Sequence, residues 1–288
     1  MKIRLIASDL DGTLLRDGKE VSPLTKEAVG KAVQNGIRFV PATGRALQTV
    51  PKEVLALPGV DYVITSNGAA VYSVLQKKRI YECLLERESV EKILEIPPCE
   101  EYALEAFVDG VPYAEEAYVK EPKIFGATDF GEAYVRRTRN IVGDIRQFIR
   151  EHADCLDSIS FVSGNGELRK KLKGQILSAV PGVYVTSSVD HMLEIGNQEA
   201  GKGKTLLHLL EILGISPREA MAFGDADNDI DMLQAAGCGV AMGNASELCK
   251  ASADRITDTN ENDGAAKIIL EYLSEVSGGE DIWNSSMS

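Results

Sequence analysis

The segment from Ile3 to Thr13, Ile-Arg-Leu-Ile-Ala-Ser-Asp-Leu-Asp-Gly-Thr, joins a short apolar run to two closely spaced carboxylates. The run Ile3–Ala7 is typical of a buried strand. Asp9 and Asp11 follow it, and the carboxyl ends of strands are where open α/β sheets bind ligands. An isolated Asp-x-Asp-Gly is more often a turn, because Asp and Gly favour turns. The interpretation therefore depends on the rest of the chain.

Strand and helix patterns alternate in the first and last thirds of the chain. After Ile3–Ala7 the first third continues, in the order helix, strand, helix, strand, with Ser22–Gln34, Ile37–Pro41, Ala46–Leu57 and Tyr62–Thr65. In the last third, strands at Met192–Ile195, Ala220–Phe223, Gly239–Met242 and Ile256 alternate with helices at Lys204–Leu213, Asp229–Ala235, Ala245–Ala251 and Gly264–Leu273. Apolar strands joined by short links predict an α/β fold with a parallel sheet.

The middle of the chain, from Glu86 to about Val189, has a different character. It is more charged, and it contains β-like segments at Ala103–Val108 and Ser158–Val162 and a helical segment at Val142–Glu151. We interpret it as a second domain inserted into the first. The last residues, 277–288, are rich in Ser and Gly and predict a flexible tail.

Composition and charge limit the classes of function. The chain has 288 residues, 44% of them apolar, and no run approaches the ~20 apolar residues that cross a bilayer. The formal net charge of −13 disfavours nucleic acid and anionic membranes as partners. Five widely spaced cysteines without a Cys-x-x-Cys pair, together with the absence of a signal-peptide pattern, predict a cytoplasmic protein with reduced thiols.

A second acidic group, Gly224–Asp229 (Gly-Asp-Ala-Asp-Asn-Asp), follows the predicted strand Ala220–Phe223. It should lie on the same sheet edge as Asp9 and Asp11. Clustered carboxylates repel one another, and a shared hard cation with oxygen ligands offsets that repulsion. Mg2+, which keeps several waters, suits a phosphate substrate. The two acidic groups therefore predict a magnesium site.

The sequence comes close to two known motifs, the calcium-binding EF-hand and the nucleotide-binding P-loop, but matches neither. An EF-hand starting at Asp225 would need Gly where Ile230 stands and Glu where Ala236 stands. A P-loop at Gly196–Lys202 has Gly203 in place of the required Ser or Thr, and the alternative frame that ends in Gly203-Lys204-Thr205 has Gln198 in place of the first Gly. We reject the EF-hand and retain an NTPase as a minor alternative.

Two neutral loops and a lysine complete an anion pocket. Thr43-Gly44-Arg45 follows the second strand of the first third, and Ser66-Asn67-Gly68 follows the third. Each offers a hydroxyl and a Gly where backbone N–H groups can bind phosphate. Each element alone is typical of a helix cap or, for Lys202, of a solvated side chain. Together at one sheet edge they predict phosphate binding beside a metal.

The order of these motifs resembles the haloacid dehalogenase-like superfamily. The residues that carry the resemblance are Asp9-Leu10-Asp11-Gly12-Thr13, Thr43-Gly44-Arg45, Lys202 and Gly224–Asp229. Further stretches resemble its Cof-type hydrolases, which carry an α/β cap of type IIB: Ser66-Asn67-Gly68-Ala69, Leu193-Glu194-Ile195, Asn244-Ala245 and Asn262-Asp263-Gly264. The resemblance implies a Rossmann-like parallel-sheet core with helices on both faces, at residues 1–84 and 190–276, and an inserted cap at 85–189.

The resemblance also implies a role for each motif residue. Asp9 would be the nucleophile that becomes phosphorylated, and Asp11 would protonate the leaving oxygen and later activate water. The implied metal ligands are Asp9, the Asp11 backbone carbonyl and Asp225, with Asp229 orienting metal-bound waters. The implied phosphate-binding residues are Thr43, Gly44, Lys202 and Asn228, to which the anion pocket adds Arg45 and Asn67. Two lysines flank Gly203, and we assign the role to Lys202 rather than Lys204 because a Gly follows it.

The expected function is a Mg2+-dependent phosphatase acting on a small phosphorylated metabolite, such as a sugar phosphate, a phosphorylated cofactor or a nucleotide. A phosphomutase would keep the same motifs, and a non-enzymatic phosphate-binding protein is the third class. Arg136, Arg137 and Arg139 are interpreted as a solvated charge run rather than a substrate clamp. The residues of the cap that choose the substrate, and the oligomeric state, are not assigned.

Overall fold

The computed structural model describes residues 2–16 and 20–278. Its strands are β1 (Leu5–Ser8), β2 (Leu15–Arg16), β3 (Glu20–Val21), β4 (Arg38–Pro41), β5 (Tyr62–Thr65), β6 (Ala70–Ser73), β7 (Lys78–Glu82), β8 (Ala103–Val108), β9 (Val111–Glu115), β10 (Asn140–Val142), β11 (Leu156–Val162), β12 (Val183–Thr186), β13 (Met192–Asn197), β14 (Ala220–Gly224), β15 (Cys238–Ala241) and β16 (Arg255–Ile256). The tail predicted at 277–288 lies outside the described residues from 279 onward.

The helices are α1 (Pro23–Gln34), α2 (Lys52–Leu55), α3 (Arg87–Leu94), α4 (Glu116–Lys120), α5 (Asp129–Thr138), α6 (Ile145–Glu151), α7 (Gly166–Ala179), α8 (Lys202–Leu213), α9 (Ile230–Ala235), α10 (Glu247–Ala251) and α11 (Gly264–Gly278). Within the described ranges, none of them combines the length and apolar character needed to cross a membrane.

A five-stranded sheet forms the core, in the order β16-β15-β14-β1-β4, and all its strands are parallel. Side chains alternate along β1 and pack into two clusters. Ile6 packs with residues of α1 and α11, whereas Leu5 and Ala7 pack with residues of α8 and α9. Both faces of the sheet are therefore covered, as a parallel sheet of apolar strands requires. The predicted α/β class with helices on both faces is confirmed.

The third predicted strand borders the core sheet rather than extending it regularly. β5 touches β4 through one parallel bridge, Ala42 to Ile64, and otherwise pairs antiparallel with β6, which pairs with β7. The helix predicted at Ala46–Leu57 is wrong: a 3-10 turn at Leu47–Thr49 is separated from the four-residue α2. Pro51 lacks an N–H, and the residue before it is extended, so the helix cannot run through.

A separate six-stranded sheet, in the order β10-β9-β8-β11-β13-β12, forms the cap. Its pairs are antiparallel except for β9 with β10. Helices α3, α6 and α7 contribute to the apolar cluster on one face, and α4 and α5 contribute to the cluster on the other. The predicted strands Ala103–Val108 and Ser158–Val162 are β8 and part of β11. The helix predicted at Val142–Glu151 begins only at Ile145, after β10.

One strand lies in a different sheet from the one predicted. The sequence places Met192–Ile195 in the core, but β13 pairs with β11 and β12 of the cap. Its apolar residues pack in the cap cluster with those of β8 and β11. The chain therefore returns to the core after Asn197, and the predicted boundary at 190 falls before the last cap strand.

Candidate active site

Asp9 lies directly after β1, an interior strand of the core sheet. β1 pairs with β4 on one side and β14 on the other, so ligand-binding loops diverge at its carboxyl end. The Asp9 N–H donates to the carbonyl of Phe223, 3.0 Å away, which continues the ladder one residue beyond β1. Asp9 is thus held by the sheet itself, and its side chain is 8% exposed.

A buried lysine joins Asp9 to a second carboxylate. Lys202, the first residue of α8, is fully buried, and its Nζ donates to Asp9 Oδ1 at 2.5 Å and to Asp229 Oδ1 at 2.6 Å. Burial alone would lower the pKa of Lys202, but the charges of Asp229 and Asp9 outweigh it and raise the pKa above its usual value. The ammonium therefore stays charged at the sheet edge.

Asp225 adds a third carboxylate beside this pair. Asp9, Asp225 and Asp229 each offer an oxygen that lies within 4.8 Å of the others. Burial, and then the charge of Asp229, raise the pKa of Asp225 to about 7, although Thr13 Oγ1 donates to it at 2.6 Å. Burial also raises the pKa of Asp9 well above its usual value, and Lys202 counteracts this only in part. One lysine does not balance three carboxylates, and an oxygen-only donor set fits a hard divalent cation.

The backbone around this cluster leaves no room for larger residues. Asp229 Oδ2 accepts the N–H groups of Asp225 and Ala226, both at 3.0 Å, which fixes the loop after β14. Gly12 has a φ of +81°, and a Cβ there would lie 2.4 Å from Asp225 Oδ2. Gly is therefore required between the two acidic loops.

Asp11 faces away from the other carboxylates. Its two oxygens accept hydrogen bonds from Arg45 Nε at 2.7 Å and from an Arg45 terminal nitrogen at 2.5 Å. Burial alone would lower the pKa of Arg45, but the hydrogen bond and charge of Asp11 raise it. The Asp11 carboxylate is therefore paired with Arg45 and is not one of the three clustered carboxylates; its role in proton transfer and metal coordination by its backbone carbonyl both stay predictions.

The predicted anion loops meet beside Asp9. Thr43 Oγ1 accepts the N–H of Arg45 at 3.1 Å, and Asn228 Nδ2 donates to Asn67 Oδ1 at 2.9 Å. Asn67 has a left-handed backbone (φ 53°, ψ 35°), which turns its side chain toward Gly44: a Cβ at Gly44 would lie 3.0 Å from Asn67 Oδ1. The buried Oδ1 of Asn228 has no hydrogen-bond partner among the described residues.

Glu194 is a site residue to which sequence reasoning assigned no role, although the stretch around it contributed to the resemblance. It extends from the cap strand β13, and its Oε1 accepts from Asn67 Nδ2 at 3.2 Å while its Oε2 accepts from the N–H of Ser188 at 2.6 Å. Burial raises the pKa of Glu194, and the bonds from Ser188 and Asn67 partly offset the shift. Glu194 thus ties the cap to the anion loops.

A cavity of about 750 Å³ opens over the carboxylates, within the usual size range of small-molecule sites. Core residues that line it include Asp9, Asp11, Arg45 and Asn228. The cap contributes aromatic, aliphatic and basic side chains that the sequence did not assign, among them Phe107, Tyr118, Phe130, Tyr134, Arg139 and Met192. The candidate catalytic residues therefore lie on the core side of the cavity, and the aromatic side chains of the cap line the opposite side.

Arg139 corrects the prediction of a solvated charge run. Its guanidinium is 4% exposed and donates to both oxygens of the fully buried Glu105, at 2.6 and 2.9 Å. Arg136 is half exposed, as the prediction requires. The prediction fails for Arg139 because its partner lies 34 residues earlier, on β8.

The structure decides two alternatives that the sequence left open: which of two lysines contacts Asp9, and whether a P-loop is present. Lys204 is half exposed and donates to the carbonyl of Gln198 and to Glu199, so Lys202 is the lysine that contacts Asp9. Gly196 lies inside β13, so no phosphate-cradling loop forms across the P-loop-like segment. The NTPase alternative loses its structural basis.

Known proteins resemble this chain in sequence and in fold. A family model described as haloacid dehalogenase-like hydrolase matches residues 6–269. The chain belongs to this family. Because the match spans the acidic loops, the anion loops and the cap, the family covers both the core and its insertion.

Individual members of the haloacid dehalogenase-like hydrolases align over nearly the whole chain. Phosphatase YwpJ of Bacillus subtilis is 30% identical, with 94% of this chain and all of YwpJ aligned. Pyridoxal phosphate phosphatase YbhA of Escherichia coli is 29% identical, with 95% of this chain and all of YbhA aligned. The solved subclass IIB sugar phosphatase BT4131 superposes with a TM-score of 0.79 at 23% identity, covering 93% of this chain and 98% of BT4131, and so shares the fold. The resemblance to Cof-type hydrolases is confirmed.

Proposed function

We propose that this haloacid dehalogenase-like phosphatase is Mg2+-dependent and hydrolyses small phosphorylated metabolites through an aspartyl-phosphate on Asp9. The observation that carries the proposal is the buried Lys202, which holds Asp9 at 2.5 Å at the floor of a cavity. A carboxylate fixed in this way can attack phosphorus, and a fixed cation can neutralise the charge of the phosphoryl group.

The metal would be held by Asp9 and Asp225, with Asp229 and the Asp11 carbonyl completing the site. This donor set is all oxygen, which favours Mg2+ over thiophilic ions. When bound, the ion supplies charge neutralisation at the phosphoryl oxygens.

The reaction divides into two displacements. In the first, an Asp9 oxygen bonds to phosphorus, the bond to the substrate oxygen breaks, and Asp11 gives its proton to that oxygen. In the second, water bonds to phosphorus while Asp11 takes its proton, and the bond to Asp9 breaks to release phosphate. Thr43, the N–H of Gly44 and Asn228 would hold the phosphoryl oxygens in both steps.

The substrate class rests on the cavity and on named relatives. Relatives include a pyridoxal phosphate phosphatase and, at the level of fold, a sugar phosphatase. A cavity of about 750 Å³ accommodates molecules of this size. We therefore propose a sugar phosphate or a phosphorylated cofactor as the substrate.

The test is a phosphate-release screen over sugar phosphates, pyridoxal phosphate and nucleotides with Mg2+. A chelator should stop phosphate release, and added Mg2+ should restore it. The Asp9→Asn variant should release no phosphate, although the Asn side chain has nearly the same shape as Asp. Calcium should not restore phosphate release, because its longer, looser coordination holds Asp9 poorly for attack. Release by Asp9→Asn near the wild-type rate, or equal rates with calcium, would overturn the proposal.

A further inference from the structure

The Tyr134 ring of α5 contacts two guanidinium groups. The guanidinium carbon of Arg45, from the core, is 5.1 Å from the centre of the Tyr134 ring. That of Arg139, from the cap, is 5.0 Å from the same centre. Both distances are within the range of cation–π attraction, and the two Arg side chains are only 10% and 4% exposed, so this attraction is stronger than at an exposed surface.

Each guanidinium also pairs with a carboxylate. Arg139 is paired with the buried Glu105 of β8, and Arg45 binds both oxygens of Asp11. A continuous series of contacts therefore runs from the cap sheet through Tyr134 and Arg45 to the Asp11 carboxylate. The Arg139–Glu105 pair anchors the series at its cap end, because both side chains are buried and the contact uses two hydrogen bonds.

Tyr134 and Arg45 also lie where two cavities approach each other. Both residues border the cavity over Asp9 and a second cavity of about 630 Å³, lined also by Gln48, Thr49 and Arg137. The contact joins core to cap, and so it forms only when the cap lies against the core. Any motion that opens the cap breaks it and removes one of the restraints on Arg45.

We propose that Tyr134 is a positioning residue: through Arg45 it holds the Asp11 carboxylate in its proton-transfer position when the cap is closed. The inference rests on the proposed function, in which Asp11 protonates the leaving oxygen. Tyr134 then couples cap closure to the acid rather than to the nucleophile, since Asp9 is held separately by Lys202. The hydroxyl of Tyr134 is not needed for this role, because the ring face makes the contact.

The test compares two small substrates that differ in their need for the acid. Phenyl phosphate releases a phenolate, whose conjugate acid has a pKa of about 10, as tyrosine has, and which needs a proton as the P–O bond breaks. Acetyl phosphate releases a carboxylate, with a pKa of about 4, which leaves without one. Because kcat/KM reports only steps up to the first irreversible one, it isolates the first displacement.

We expect Tyr134→Leu to lower kcat/KM for phenyl phosphate about 30-fold, the size of a lost desolvated cation–π contact, and to change that for acetyl phosphate less than about twofold. Tyr134→Phe should restore the wild-type ratio. Asp11→Asn should show the same selectivity with a larger loss. Tyr113→Leu is the control: it removes an aromatic ring that packs against Phe148 in the cap cluster on the far face of the sheet, and it should leave the ratio unchanged.

Equal losses on both substrates in Tyr134→Leu, or a Tyr134→Phe variant as impaired as Tyr134→Leu, would overturn the inference. An inactive wild type would instead overturn the proposed function. In that case amide hydrogen exchange, which needs no substrate, tests whether Tyr134 restrains Arg45. Faster exchange at residues 43–50 in Tyr134→Leu, but not in Tyr134→Phe or Tyr113→Leu, supports it, and unchanged exchange contradicts it.

Discussion

Replacing Lys202 by Met should destabilise the protein as well as inactivate it. Met keeps most of the volume of the buried stem and removes the charge that lies 2.5 Å from Asp9 and 2.6 Å from Asp229. Two buried carboxylates then face each other and Asp225 without a cation. Breaking a buried pair by removing one partner costs about 3–5 kcal/mol. At about 2–4 °C per kcal/mol, Tm should fall by roughly 6–20 °C in the presence of a chelator.

The loss should depend on pH in a defined direction. Burial raises the folded-state pKa of Asp9, and that of Asp225 to about 7, while Lys202 lowers both. An Asp whose folded pKa is raised contributes stability below its unfolded pKa of about 4, and this contribution is lost as the pH rises through the folded pKa. Without Lys202 both pKa values rise further. The deficit of Lys202→Met should therefore grow from about pH 4 to about pH 7 and above.

The assay is thermal unfolding at several pH values in chelator and in Mg2+, with phosphate release measured alongside. Lys204→Met is the matched control: Lys204 is half exposed, so its loss should change stability by about 0.5 kcal/mol or less and leave phosphate release intact. Added Mg2+ should recover part of the stability of Lys202→Met. A Lys202→Met protein as stable as wild type at neutral pH, or a deficit that shrinks as the pH rises, would refute the reasoning.

Three further substitutions test separate parts of the site. Asp11→Asn should slow turnover about 10²- to 10⁴-fold with unchanged Mg2+ affinity by calorimetry, and a collapse of that affinity would show that its side chain holds the metal. Gly44→Ala, whose Cβ would lie 3.0 Å from Asn67 Oδ1, should raise KM about tenfold with little change in Tm, because the new methyl group displaces the Asn67 side chain. An unchanged KM would show that phosphate binding does not depend on the close packing of Gly44 against Asn67. Arg139→Met should lower the free energy of unfolding by about 3–5 kcal/mol, because it leaves the charge of Glu105 buried without a partner. Adding Glu105→Met removes that charge and should restore the stability. If stability is not restored, the unpaired charge of Glu105 is not the cause of the loss.

The acidic motifs could be predicted from sequence because their positions depend on topology alone. Parallel strands end at one edge, so carboxylates after β1 and after β14 must meet there whatever the loop details. The same argument brings the loops after β4 and β5 to Asp9. The short pattern Gly201-Lys202-Gly203 selected Lys202 rather than Lys204 for the site, and Lys202 is the lysine that contacts Asp9, although its contact with phosphate stays a prediction.

The residues that the cap contributes to the cavity could not be predicted from the sequence, because their positions depend on contacts between residues far apart in the chain. An apolar pattern identifies β13 as a strand but does not name its partners, so it was placed in the wrong sheet. The burial of Arg139 depends on Glu105, and the position of Tyr134 depends on where α5 meets the core. By contrast, the break in the helix predicted at Ala46–Leu57 was readable in advance from Pro51.

The central claim, a phosphoryl group carried by Asp9, is tested most directly in the Asp11→Asn variant with acetyl phosphate and Mg2+. The first displacement needs no proton for this substrate, whereas the second lacks the base that activates water, so the phosphorylated enzyme should accumulate. Mass spectrometry after acid quenching should then find one phosphoryl group per chain, on Asp9, and none when Asp9→Asn is added. An Asp11→Asn protein that turns over acetyl phosphate without carrying phosphate, or that carries it on another residue, would contradict the account.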